Sequence, residues 1–142
     1  MRVSAKADYA VRAAAELAAA GDDGPVKGER LADAQDIPLQ FLQHILLELK
    51  HHGIVRARRG AKGAYWLARP ADEVTIAEIV RAVEGPIAHV QSTPPEDIEY
   101  RGNSKALQEV WIALRPSLRS VLEEVTLADL VSGELPSVVG DL

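Results

Sequence analysis

Residues 36–67 read DIPLQFLQHILLELKHHGIVRARRGAKGAYWL, and their reading decides the fold. Asp36, Ile37 and Pro38 form a turn. Proline suits the start of the next helix, where its missing N–H costs nothing. Phe41, Leu42, Ile45, Leu46 and Leu49 then give a broad apolar face at helical spacing over about residues 39–51. Gln40, Gln43 and His44 share the other side at i, i+3 and i+4, and Gly53 suits a C-cap. Residues 54–57 and 64–68 read as two strands of a hairpin. Its tip carries Arg58, Arg59 and Lys62, with Gly60 and Gly63 free to take positive φ. A helix followed by a basic hairpin is how a winged helix-turn-helix meets DNA: helix into the major groove, wing against backbone or minor groove.

Glutamine can bond adenine N6 and N7 bidentately, and the first turns of a recognition helix are where base edges are reached. Gln40 and Gln43 lie there, with His44 beside them as a further base or phosphate contact. A solvated helix face would show the same polarity. The basic hairpin that follows tips the balance toward DNA. Arg58, Arg59 and Lys62 suit phosphate contacts, and an arginine can enter a narrow minor groove. Arg2, Lys6 and Tyr9 are further candidate phosphate contacts, weighed evenly against plain surface. Tyr65 and Trp66 are expected to pack the hairpin against the core.

Upstream, Ala10, Val11, Ala14, Leu17 and Ala18 predict a helix over about residues 6–20, and a short helix follows over about 28–35. Downstream, Thr75 and Glu78 read as a capping box for a helix ending at Gly85-Pro86. Residues 90–101 are polar and hold Pro94-Pro95, which reads as a loop. A long helix over about 103–125 follows. Its Leu107, Trp111, Leu114, Leu118, Val121 and Val125 step by four and three, the seam of a helix that pairs with a partner. Pro116 should kink or split it. A short last helix follows Thr126, and the tail is expected to be loose.

The chain has 142 residues and a net charge of −5, which alone argues against nucleic acid. The charge is segregated. Residues 1–70 hold 11 Lys+Arg and 8 Asp+Glu, net +3, whereas residues 71–142 hold 5 and 13, net −8. A local basic patch on an acidic protein can still supply the phosphate-binding field. There is no cysteine, so disulfides, thiolate zinc sites and cysteine-held clusters are excluded. His44, His51, His52 and His89 do not form a ligand set, and Asp8 and Glu16 read as helix-surface acids, so no metal site and no cofactor is expected. No P-loop, G-x-S-x-G or H-E-x-x-H motif is present, and an enzyme is not expected. No 18-residue apolar run or signal peptide is visible, so the expectation is a cytoplasmic protein with no membrane partner.

With these residues in view, the chain resembles the Rrf2 family of bacterial winged-helix repressors, the IscR-, NsrR- and CymR-like proteins. The resemblance rests on VSAKADYAVRA at residues 3–13, IPLQFLQ at 37–43, GIVRARRGAKGAY at 53–65, VTIAEIVRAVEGP at 74–86 and TLADL at 126–130. It implies a homodimer joined by the long helix and bound to a pseudo-palindromic operator. It also implies base readers at Gln40 and Gln43 and a wing contact at Arg59. Iron–sulfur members carry three cysteines in the loop before the long helix; here that loop has none. Asp8 matches a position that supplies a cluster ligand in one branch.

The expected fold is therefore mainly α with a small β-hairpin wing: a winged helix-turn-helix domain over 1–84, a loop over 85–102, a dimerisation helix and short C-terminal helix over 103–133, and a tail over 134–142. The expected partners are double-stranded DNA and a second copy of the chain. Two other readings stay open. One is control by a small-molecule effector held between the fourth helix, the 90–101 loop and the long helix, with Trp111 lining the pocket. The other is a protein-interaction module that does not bind DNA.

Overall fold

A computed structural model describes residues 2–58 and 63–140. Arg59, Gly60, Ala61 and Lys62, at the wing tip, lie outside the described residues, as do Met1 and the last two residues.

Helix α1 spans Ala5–Ala20, and the Ser4 hydroxyl caps it by accepting from the Ala7 N–H at 3.0 Å. Ala7, Ala10, Ala13 and Ala14 are all buried in it. Alanine leaves no bulk, so other helices approach closely; α1 is packed by α2 (Gly28–Gln35), α3 (Leu39–His51), α4 (Ile76–Glu84) and α6 (Leu127–Ser132). Leu31, Leu42, Ile45, Leu46, Leu49, Ile79 and Leu127 fill the core between them, each at most 1% exposed. Asp36 ends α2 in the left-handed conformation, φ 52°, which aspartate tolerates better than most residues. Ile37 then turns into the core, its N–H donating to the Ala32 carbonyl at 3.0 Å. Gly53, at φ 72°, closes α3 and donates to the Lys50 carbonyl.

The wing has three strands, not two. β1 (Val26–Lys27), β2 (Val55–Arg58) and β3 (Ala64–Leu67) form an antiparallel sheet in the order β1-β3-β2, with Val26 opposite Tyr65 and Ala57 opposite Tyr65 on the other side. Two residues are too short for β1 to show an alternating pattern. Gly63 directly precedes β3. It is needed for closeness: a Cβ there would stand 3.3 Å from the Tyr65 hydroxyl, and its carbonyl accepts from the Gly28 N–H at 3.2 Å.

The capping box expected at α4 is half formed. Thr75 accepts from the Glu78 N–H at 3.2 Å, but the Glu78 carboxylate turns instead to Arg69. The full box is at α6, where Thr126 and Asp129 bond each other's backbone N–H at 3.1 and 2.9 Å. The two threonines face each other in an antiparallel bridge. Ile76 donates to the Val125 carbonyl and Leu127 to Val74, both at 3.0 Å. This stitch seats α6 in the core of the winged-helix domain, although the sequence places it beside the long helix.

The long helix, α5, is shorter than expected at Leu107–Leu122, and a 3₁₀ turn, Gly102–Ser104, occupies its predicted start. It runs through Pro116 as one helix. The carbonyl that proline frees, on Ile112, belongs to an exposed residue, so water can satisfy it. The loop before α5 is held down: the Gln108 amide donates to the carbonyls of Pro95, Glu96 and Ile98 at 2.8–3.1 Å. The tail is not wholly loose, since Ser137–Gly140 forms a single turn, α7.

Candidate nucleic-acid interface

One side of α3 packs the core, and the other is exposed. Gln40, Gln43 and His44 are all on the exposed side, in the first two turns. Phe41 and Leu47 join them there, at 36% and 46% exposure. The spacing placed Phe41 on the apolar face. Its ring instead packs edge-on against Tyr9, with centroids 5.6 Å apart and an interplanar angle of 78°. That contact ties α3 to α1 from outside the core.

Further contacts from α1 hold α3 and α2 in place. Lys6 Nζ lies 2.7 Å from Glu48 Oε1, joining α1 to α3. The Arg12 guanidinium sits 5.1 Å from the Tyr9 ring centroid. It also donates through Nε to the Gln35 side chain at 3.1 Å, while Gln35 donates to Glu16 at 2.6 Å. So Lys6 and Tyr9, read as phosphate contacts, both brace the helix-turn-helix. The Lys6 charge is already met by Glu48. Arg2 is exposed and lines an apolar cleft of about 570 Å³ with Asp8, Val11, Val80, Glu84 and Leu118.

Arg58 is exposed at the end of β2, opposite Ala64. Arg56, two residues earlier, is exposed on the same face of the strand. It extends the basic edge and was not among the candidate contacts. Arg59 and Lys62 lie outside the described residues. At the wing base, Lys27, Gly28, Gln43 and Tyr65 surround a polar niche of about 60 Å³, so the amide of Gln43 adjoins the start of α2 and the root of the wing. Tyr65 packs on the core as expected, and Trp66 is half-buried.

On α5, Leu107, Trp111, Leu114, Leu118 and Val121 are half-buried, and none of the helix is buried. Val125 lies beyond its end and is 5% exposed, inside this chain's own fold, so the seam closes at Val121. Val110 and Ile112, at 56% and 40% exposure, add apolar surface outside the seam.

The sequence profile described as "Rrf2: Iron-dependent Transcriptional regulator" matches residues 3–133. The chain belongs to the Rrf2 family. An HTH-type transcriptional regulator of Mycobacterium tuberculosis is 51% identical over 142 residues, covering all of this chain and 88% of that protein. CymR of Bacillus subtilis is 32% identical over 132 residues, 93% of this chain and 91% of CymR. The structure of CymR, the global cysteine regulator of B. subtilis, superposes with a TM-score of 0.76 at 31% identity, covering 93% of this chain and 97% of that one. IscR of T. potens gives 0.75 at 28% identity, covering 94% and 88%. The Rrf2 chain described here is accordingly a DNA-binding transcriptional regulator with a winged-helix fold, not an enzyme.

The family description names iron, so the donor set matters. The sequence has no cysteine to hold a cluster. No group of three His, Cys, Asp or Glu is placed to hold a metal among the described residues. The Asp8 carboxylate is engaged by Arg12 at 3.0 Å. These residues do not fit a thiolate-held iron–sulfur cluster. No helix among the described residues is long and apolar enough to cross a membrane.

Proposed function

We propose that this Rrf2 regulator binds a pseudo-palindromic operator as a homodimer, represses transcription, and does so without an iron–sulfur cluster. Gln40 and Gln43 read base edges, with His44 beside them. Arg58, Arg59 and Lys62 bind backbone or minor groove, and Arg2 and Tyr9 add phosphate contacts. The observation that carries this reading is the exposed amide pair at the start of α3, beside a strand whose outward residues are Arg56 and Arg58. Homodimerisation is supported by α5, which has sixteen residues and none buried. Its apolar side is only half-covered within the chain, and packing supplies most helix stability, so a partner that completes the cover stabilises it. Leu107, Trp111, Leu114, Leu118 and Val121 form the pairing surface. Repression follows from occupancy: a dimer spanning two major grooves obstructs polymerase.

Fluorescence anisotropy on duplex DNA tests the roles. Arg59→Ala weakens binding to all sequences and flattens the salt dependence. Gln43→Ala instead relaxes base preference, by about 1–3 kcal/mol for a lost bidentate pair. Unchanged affinity and unchanged preference in both variants contradict the reading.

A further inference from the structure

Away from α3's exposed face, the ends of α3 and α4, the loop after α4 and the flank of α5 enclose an open cleft of about 480 Å³. Three guanidinium groups line it: Arg81 from α4, and Arg115 and Arg119 one turn apart on α5. His52, the residue that caps α3, His89 from the loop and the carboxylate of Glu96 complete its polar wall. Two carboxylates answer the three arginines. Arg81 Nη2 lies 2.5 Å from Glu123 Oε1, and Arg115 Nη2 lies 2.7 Å from Glu96 Oε2. Arg119 comes no nearer than 4.0 Å to Glu123, which Arg81 already holds.

Surface arginines commonly pair along a helix with no ligand in view. This group differs in three respects. The cations converge from two helices on a concavity, they outnumber the acids, and their donors are not used up. A guanidinium carries five N–H donors. The Arg119 guanidinium makes no hydrogen bond among the described residues, lying 4.0 Å from Glu123, and Arg115 Nε is buried without a partner there. Planar forks with spare donors suit an anion that accepts two or more hydrogen bonds at once.

We infer that this cleft binds a compact dianion, a phosphoryl or dicarboxylate group, held chiefly by Arg119 and Arg115 with Arg81 facing them. The cleft adjoins the recognition helix through His52, whose Nδ1 lies 2.9 Å from the Glu48 carbonyl on the last turns of α3. An anion there meets the end of the helix that presents Gln40 and Gln43. The inference rests on the folded chain alone and stands or falls independently of the DNA contacts.

The test titrates the ¹⁵N-labelled full chain with inorganic phosphate and, separately, with succinate, sodium chloride holding ionic strength constant. Saturable amide shifts are expected around Arg81, His89 and Arg115–Arg119 with at least one of the two. Phosphate alone identifies a phosphoryl ligand, succinate alone a dicarboxylate, and both the shared chemistry. Arg119→Gln, a half-exposed residue whose loss leaves the core intact, should weaken the binding about tenfold, the effect of one lost charge-assisted hydrogen bond. Arg101→Gln, which removes the same charge from an exposed position outside the cleft, should leave it unchanged. No saturable shift with either anion overturns the inference, and so does an equal loss in both variants.

Discussion

Gln43 is where three parts of the fold meet: the first turns of α3, the start of α2 and the root of the wing. A base reader must be held to be specific, and its neighbours do the holding. Tyr9 braces Phe41 edge-on, and Lys6 braces Glu48 from the same helix. A double-mutant cycle of Tyr9→Ala and Phe41→Ala in chemical unfolding should therefore give a coupling of about 0.5–1.5 kcal/mol, the usual worth of an aromatic pair beyond its buried area. Tyr9→Phe should cost nearly nothing. A second residue-scale consequence concerns Glu96. The Arg115 guanidinium, donating to its side chain, holds its carboxyl below the ordinary value. A depressed carboxyl stabilises the fold above its ordinary pKa and loses that contribution as pH falls through the depressed one. In Arg115→Gln the Glu96 carboxyl should titrate higher than in the wild type, followed by ¹³C NMR; an unchanged midpoint means the contact does not form in solution.

Among the elements, α2 and α3 were legible, because the Asp36-Ile37-Pro38 turn separates them and Gly53 closes the second. β1 was not, since two residues carry no period. The long helix was overestimated at both ends, and at the C-terminal end the reason is visible. Apolar spacing persists through Val125, but Val125 is recruited by α4 and α6, and such long-range pairing leaves no trace in local pattern. The stitch between Thr75 and Thr126 makes a prediction of its own. Thr126→Ala removes one half of a capping box, so it should cost roughly 0.5–2 kcal/mol. It should also speed amide exchange in α6 before α1. The candidate site was legible as residue types on a face. Its bracing by Tyr9, Lys6 and Arg12 was not, because contacts between helices depend on their crossing and not on spacing within either.

At the scale of the whole molecule, charge segregation and the long helix act together. The basic half presents α3 and the wing, and the acidic half carries α5. Leu114→Glu on α5 should shift the protein toward monomer in sedimentation equilibrium while leaving its circular dichroism intact. DNA affinity should fall with it, since one half-site then binds alone. Affinity should also fall steeply with added salt, because phosphate contacts release counterions. The claim beneath all of this is that two copies of one reader face one operator. Selection of bound duplexes from a random pool, followed by sequencing, tests it most directly. The account predicts an enriched inverted repeat, its half-sites about one helical turn apart, roughly 34–36 Å, and loss of base preference within each half-site in Gln43→Ala. A pool that stays random, or a motif with a single unpaired half-site, would contradict it.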